Sequence, residues 1–551
     1  MIRETVGHLR DLPRYRQILT TLIRYGYQDV VSALHLEGLV RPFEKAALGE
    51  ENVPPHDRPR RLRLICEDLG PTFVKLGQLL STRSDILPES YTDELAYLRD
   101  EVRPFPFEEA EAILAEELGR PPLEVFARID PVPVASASIS QVHRAELPDG
   151  QEVAIKVRRP GIEKTVAADL EILKNLAHLA ERQLPPIAQY RPVALAREFE
   201  RSLKKELDLN IERRTMQRSR TQLAREPFAK VPIAFDDLST GRILTMEFIR
   251  GVSVEDLDGL RKMGVEPAEV AIRGARILLS QIFMHGFFHA DPHPGNLRVL
   301  PGGVIAPLDY GMFGYLDLAT RERIADLLMG LMAQDTDRVL RALEDLDIRG
   351  EPVDQRGLRR DVGELVSTYS ELSLENIDLS RLLGELIELI RSHHLRIPAD
   401  LMLLIRALVT IESVGRNLDP RFDIAAQIEP FVRDLAMRRY HPFRVLSRTV
   451  RVAEDFQRIA MLLPDVLGHS LESIKRGELT VRFDLQHFEQ LVNQLTRASN
   501  LLAAGIVIAG LIIGSSFIVQ AGGTLVPLGF GGFAIASILG AWLLWSMFHK
   551  I

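Results

Sequence analysis

The chain has 551 residues, 46% hydrophobic and 26% charged, with 68 basic and 76 acidic residues giving a net charge of −8. These values belong to folded protein and exclude disordered, collagen-like and repeat-only chains; the length accommodates roughly two to four domains. The acidic balance leaves no domain-wide excess of Lys and Arg to neutralise phosphates, so no nucleic-acid partner is expected, and the single cysteine, Cys66, excludes an intrachain disulfide or a multi-thiolate metal site.

In chain order, residues 1–128 read as a helical extension, with apolar residues at helical spacing in Ile18–Leu34 and Phe107–Leu118 and breaks at Pro54-Pro55 and Pro121-Pro122. Met1–Gln28 lacks a continuous apolar core, so no secretory signal is expected. Within the extension, Lys75-Leu-Gly77-Gln78, then Ser81, Arg83, Asp85 and Pro88, taken alone, read as a solvated helix face. From Val132 the pattern turns to short β-rich runs, Val153–Val157 and Arg242–Phe248, around a long helical stretch from about Val166 to Met216. Residues 129–250 are thus expected to form a small strand-rich lobe and 251–430 a helical lobe, joined near Met246-Glu247-Phe248. Phe287–His289 and Val304–Leu308 are short strand candidates, a helix opens at Asp317, and 431–497 read as a helical linker.

The tail is a separate object. No residue from Ala498 to Phe548 carries a formal charge, and the run splits into Ser499–Val519 and Leu525–Phe548 around a Gly-containing turn. Each piece is long enough to cross ~30 Å of hydrocarbon at ~1.5 Å per residue, so two membrane spans over 498–548 are expected. Gly510 with Gly514, and Gly532 with Ala536 and Gly540, suit close helix packing in lipid and a homodimer contact through the hairpin. Lys475, Arg476, Arg482, Arg497 and Lys550 flank the hairpin, whereas its turn is uncharged; the positive-inside rule therefore puts the large soluble part on the cytoplasmic or matrix side, and the absence of a basic, Ser-rich transit segment favours the cytoplasmic side of a bacterial inner membrane.

Four segments carry chemistry. His289-Ala-Asp291-Pro-His293-Pro-Gly-Asn296 is followed, thirteen positions on from Asn296, by Asp309-Tyr310-Gly311. Phosphoryl transfer needs a carboxylate near the attacking oxygen, and an Asn with a second Asp to hold magnesium against phosphates. The Asp291-to-Asn296 spacing equals that of the kinase loop H-R-D-x-x-x-x-N, with Asp-Tyr-Gly where kinases have D-F-G. Asp291 is therefore assigned as catalytic, and Asn296 and Asp309 as magnesium ligands. The competing zinc reading, His289 with His293, is opposed by Pro292 and Pro294, which forbid the helix that would put both rings on one face. Val153-Ala-Ile-Lys156-Val157 matches the kinase strand whose lysine meets the α and β phosphates of ATP. Its acidic partner is sought among Glu206, Asp208 and Glu212, with Glu206 preferred. Ala135, Ser136, Ala137 and Ser138 stand where kinases have a glycine-rich loop; without glycine, nucleotide handling should differ. Glu247, at the junction, is added as a nucleotide contact.

Together these segments resemble the UbiB family of atypical kinase-like ATPases, also called the AarF or ADCK type, through KxGQ at Lys75–Gln78, the Ala-rich loop at Ala135–His143, ExD at Glu206–Asp208, HxDxHPGN at His289–Asn296 and the apolar tail. The resemblance implies an α+β, two-lobed protein-kinase-like fold with a helical N-terminal extension and a C-terminal two-helix transmembrane hairpin. It implies a membrane protein that uses Mg-ATP to support isoprenoid-quinone biosynthesis, acting near membrane lipid and polyprenyl-quinone precursors and with quinone-biosynthesis enzymes. It also implies that Lys75 and Gln78 are regulatory, on a segment folded over the site where a protein substrate would bind. Ser136, Ser140, Tyr310 and Glu212-Arg-Arg-Thr215 depart from the family pattern. After Gly311 only Met-Phe-Gly-Tyr-Leu precedes the helix opening, and no A-P-E follows, which speaks against a Ser/Thr protein kinase. The retained polar residues speak against a non-catalytic scaffold.

Overall fold

The computed structural model describes residues 12–36, 57–346, 354–370, 379–439, 507–520 and 526–549, apart from short breaks at 82, 84–85, 99–101, 189, 394 and 396–397. The chain divides into two units, Met1–Val445 and Leu446–Ile551.

In the first unit, period-two alternation builds a small antiparallel sheet. Strand β1 (Arg128–Ile129) and β2 (Ala135–Ser136) both pair with β3 (Ser140–Glu146), which pairs with β4 (Glu152–Arg158) and then β5 (Ile243–Glu247). Val153, Ile155 and Val157 of β4 face Ala110, Ile113 and Leu114 of the helix Phe107–Leu118, so this helix packs on the sheet as part of the small-lobe core. The opposite face of β4 carries Ala154 and Lys156, opposite Met246 and Leu244. Its apolar members join Leu209, Met216, Tyr310, Leu297 and Val299 in a second core that reaches the helical lobe.

The long helical stretch expected over Val166–Met216 is three helices, Ile162–Gln183, Pro192–Leu207 and Leu209–Gln222, with a short turn at Pro185–Ala188. Pro185, Pro186 and Pro192 cannot continue a helix interior. Asp208 leaves helical backbone (φ −101°, ψ 97°) and caps the next helix by accepting the Asn210 N–H at 3.1 Å. Ile18–Leu34 likewise divides into Leu12–Arg24 and Gln28–Ala33 around Gly26, whose φ of +81° favours glycine.

The N-terminal helices form a layer of their own. Ile18, Ile65, Cys66, Leu69, Phe73, Val74 and Leu95 pack together and against Ile172 of the helix Ile162–Gln183. Burial pushes the Cys66 thiol up to about 12. Arg14 fixes the layer to that helix: its Nε and Nη2 donate to the two carboxylate oxygens of Asp169 at 2.6 and 3.0 Å, and Nη2 also donates to the Leu69 carbonyl at 2.7 Å. A buried Asp169 requires such a partner, because an isolated charge out of water is costly.

The helical lobe packs Pro267–Leu279, Leu318–Met332, Thr336–Leu346, Gln355–Ser370, Leu379–Ser392, Ala399–Leu418 and Ile424–Arg439 around one apolar core. Asp317 opens Leu318–Met332 as its N-cap, accepting the Thr320 N–H at 2.7 Å. Two small sheets carry the site loops: β7 (Phe287–His289) with β10 (Phe313–Tyr315), and β6 (Val252–Ser253) with β8 (Leu297–Leu300) and β9 (Val304–Pro307).

In the second unit, residues 507–520 are helical and a helix spans Val526–His549. The two helices meet through small residues: a Cβ at Gly532 would run into Ser515 Oγ, and Ser515 and Ala536 are buried, whereas Ile513, Phe517, Leu528, Phe530 and Ile538 are exposed. Among the described residues no helix is long and apolar enough to cross a membrane. The hairpin expected over 498–548 is therefore not shown; parts of it, 498–506 and 521–525, lie outside the described residues, as does the expected linker from 440 onward.

Candidate active site

Strand alternation points Lys156 away from the sheet core, toward the helical lobe. Its Nζ donates to both carboxylate oxygens of Glu212, at 2.8 and 2.9 Å, and contacts Asp309 Oδ1 at 3.4 Å. Glu212 lies in the first turn of Leu209–Gln222, is 6% exposed, and also accepts the Tyr310 N–H at 3.4 Å. The preferred pairing of Lys156 with Glu206 is thus corrected. The break at Asp208 puts Glu206 at the end of the preceding helix, where its carboxylate meets Lys75 Nζ at 2.5 Å.

Burial opposes the charge on Lys156, but the Glu212 and Asp309 carboxylates outweigh it and hold the ammonium above the ordinary lysine range. Burial raises the Glu212 carboxyl against the pull of Lys156. Asp309 moves the other way. Burial would raise it, yet Lys156, then His289 and Lys75, hold it below the usual carboxylate range. Its side chain is 40% exposed and Oδ1 accepts the Gly311 N–H at 3.2 Å, so Asp309 is an ionised, reachable carboxylate at the mouth of the cleft.

The loop from His289 to Asn296 is held from behind. The Ala290 N–H donates to the Met312 carbonyl at 3.0 Å, His289 pairs with Phe313 across β7 and β10, and the Asp291 N–H donates to His289 Nδ1 at 3.1 Å. That bond makes Nδ1 the acceptor and leaves the imidazole proton on Nε2, which is buried without a hydrogen-bond partner. Burial pushes this imidazole below its ordinary value of 6.5, against Asp309 and Asp291. His293 is spent on structure, its Nδ1 accepting the Gly295 N–H at 3.1 Å. The Asn296 carbonyl accepts the Leu308 N–H at 2.8 Å, bringing Asn296 beside the approach to Asp309. Gly286, at φ +65° just before β7, leaves no space for a Cβ against the Leu316 carbonyl.

The stand-in for the glycine-rich loop is pinned. Arg159 Nε donates to the Ala137 carbonyl at 2.8 Å and its Nη2 to Ser136 Oγ at 2.9 Å, while the Val102 N–H donates to the Ser136 carbonyl at 3.2 Å. Ala137 N–H closes a tight turn onto the Ser140 carbonyl at 2.7 Å, Ala135 pairs with Val142, and Ser138 is fully buried. Glu247 ends β5 with its carboxylate engaged by Lys230 at 2.8 Å and by the Ile233 N–H at 3.2 Å. Gln78 Nε2 donates to the Leu98 carbonyl at 3.2 Å.

Among the described residues no group of three or more His, Cys, Asp or Glu side chains could hold a metal. Asp309 and Asn296 supply one carboxylate and one amide, a hard-oxygen pair. This suits magnesium, which takes one or two protein oxygens and completes its shell with phosphates and water.

These parts and their order are matched in known proteins. Residues 97–343 match the ABC1 atypical kinase-like domain, 362–423 the UbiB helical domain and 486–549 the ABC1/UbiB kinase-like C-terminal domain. A "Probable protein kinase UbiB" of Cellvibrio japonicus is 33% identical over 496 residues, covering 88% of this chain and 89% of that protein. The chain belongs to the ABC1/UbiB family of atypical kinase-like proteins. An uncharacterized Synechocystis protein is 35% identical over 447 residues, covering 80% of this chain and 76% of that one. A Pseudomonas aeruginosa "Probable protein kinase UbiB" is 33% identical over 469 residues, with 82% and 87% covered.

Within this ABC1/UbiB frame the cluster gathers Lys156, Glu212 and Asp309, with His289 and Lys75 near enough to act on the Asp309 carboxyl. Two residues escaped the sequence reading. Arg159 had no signal beyond standing three residues after Lys156. Arg406, whose Nη2 lies 3.3 Å from Asp291 Oδ1, sits 115 positions further on, in the UbiB helical domain.

Proposed function

We propose that the chain is a membrane-anchored atypical kinase or ATPase that binds Mg-ATP and supports isoprenoid-quinone biosynthesis, acting on or around lipid precursors rather than on proteins. The observation that carries this reading is the buried Lys156–Glu212 pair in contact with a reachable, ionised Asp309. In this reading Lys156, oriented by Glu212, binds the α and β phosphates. Asp309 and Asn296 hold magnesium, which when bound neutralises developing phosphate charge. Asp291 orients the attacking hydroxyl or water and takes its proton. The pinned Ala135–Ser138 turn approaches the phosphates through small side chains, and Glu247 lines the junction between the lobes.

Two further observations support the rest. β10 runs directly into the helix Leu318–Met332, so no segment of kinase type stands there to dock a peptide, and Lys75 on the helix Pro71–Ser81 reaches Glu206 beside the site. Lys75 and Gln78 then govern access. In the C-terminal unit, small residues between the helices and large apolar side chains outside suit a hairpin in lipid, which would hold the site where polyprenyl-tailed precursors reside and where partner enzymes of quinone biosynthesis and a second copy of the hairpin can be met. The test is phosphate release from Mg-ATP by the lipid-reconstituted protein beside Asp309→Asn. The variant should lose magnesium-dependent turnover; near-normal turnover would sink the assignment.

A further inference from the structure

Asp291 does not stand alone in the cleft. Arg406, on the helix Ala399–Leu418, brings Nη2 to 3.3 Å from Asp291 Oδ1, and both side chains are 29% exposed. The other amino group, Nη1, is buried and has no hydrogen-bond partner. A buried guanidinium N–H without an acceptor costs roughly 1–3 kcal/mol, so Nη1 is a donor in want of an oxygen although Nη2 already meets the Asp291 carboxylate. The helix is fixed near this point by Asp400 Oδ1, which accepts the Tyr315 N–H of β10 at 3.2 Å. β10 is the strand that pairs with the catalytic loop.

We propose that Arg406 is a catalytic residue, an arginine supplied in cis by the helical domain, whose Nη1 donates to an oxygen of the transferred phosphoryl group. The inference rests on the phosphoryl-transfer reading above. The planar fork of arginine fixes Nη1 beside Nη2. With Nη2 on the carboxylate that addresses the nucleophile, a small rotation of the side-chain end turns Nη1 to the γ-phosphoryl oxygens. As the water oxygen bonds to the γ-phosphorus, the bond from phosphorus to the bridging oxygen breaks and its electron pair leaves on ADP. The water proton passes to the Asp291 carboxylate, and Nη1 meets the charge gathering on the phosphoryl oxygens. In that reading Lys156 addresses the α and β phosphates, so Arg406 supplies positive charge at the transferred phosphoryl group.

The experiment compares full-length wild type, Arg406→Gln and Arg406→Lys, measuring kcat and KM for Mg-ATP and calorimetric affinity for Mg-ADP with and without aluminium fluoride, a mimic of the transferring phosphoryl group. Wild type should bind Mg-ADP on the order of 100-fold more tightly with fluoroaluminate. Arg406→Gln should lose that gain and about 10²–10³-fold in kcat, with KM and Mg-ADP affinity within about threefold of wild type, and Arg406→Lys should recover part of both. Equal tightening in wild type and Arg406→Gln with kcat unchanged would overturn the inference and leave the functional reading standing. A wild type that neither turns over Mg-ATP nor gains from fluoroaluminate would refute that reading, and the inference falls with it. Loss of Mg-ADP binding in both variants would make Arg406 a structural residue and overturn its catalytic assignment.

Discussion

The lysine–glutamate pairs Lys156–Glu212 and Lys75–Glu206 serve the same cleft from different surroundings. In the first, both carboxylate oxygens meet the ammonium, the side chains are 17% and 7% exposed, and an apolar core lies beneath. In the second, Lys75 Nζ on the helix Pro71–Ser81 meets a carboxylate oxygen of Glu206 at the end of Pro192–Leu207 at 2.5 Å, and the side chains are 13% and 30% exposed. A buried, doubly bonded pair resists separation because each charge left alone would be unsolvated, whereas a pair whose carboxylate is 30% exposed keeps water at one partner and parts at lower cost. In the proposed reading the first pair therefore belongs to a phosphate-binding frame and the second to a cover over it.

This contrast can be broken at several points. The largest effect on stability is expected from Arg14→Ala, which strips a buried Asp169 of its two ion-pair contacts. It should cost about 3–5 kcal/mol by chemical denaturation while leaving Mg-ATP turnover of the folded protein within about twofold; a proportionate loss of turnover would show that cover and frame are one unit. Gly77→Ala tests the packing inside the cover, since a Cβ there would press on the Leu98 side chain and lie 3.2 Å from Cys66 Sγ. An overpacking cost of about 1–3 kcal/mol is expected, again read by denaturation, with a silent substitution as the contrary result.

The smallest effect is one of pH, and it acts on the sheet behind the frame. His143 is buried between the Asp130 carbonyl and Gln141 Nε2, each at 2.8 Å, and burial pushes its imidazole below the ordinary 6.5. The unfolded chain binds this proton near 6.5 and the folded chain only at lower pH, so stability is complete above that value and declines as pH falls through it. The melting temperature should drop between pH 7.5 and 5.5, and His143→Gln should flatten that slope in part, because His285 and His289 are lowered by burial in the same way. An unchanged slope would remove His143 from the account.

Much of the frame was legible in the sequence because it rests on local signals. β4 and β5 announce themselves by β-rich apolar runs, Asp317 by its place before a helix, and Asp309, which meets Lys156, by its place in Asp-Tyr-Gly. The Glu212 pairing was not legible. Glu206 and Glu212 are six residues apart, and choosing between them requires knowing that Asp208 interrupts the helix and turns the two carboxylates to different neighbours. Arg406 was hidden for a related reason: a single arginine among helical residues carries no pattern, and only the packing of Ala399–Leu418 against the catalytic strands brings it to Asp291.

The measurement that tests the central claim most directly is Mg-ATP turnover by Glu212→Gln and Glu206→Gln, assayed side by side with wild type in lipid. Glu212→Gln should lose at least about 100-fold in kcat, in line with removal of a group that orients a phosphate-binding lysine, and Glu206→Gln should stay within about tenfold. The reverse order, with Glu206 indispensable and Glu212 dispensable, would contradict the account.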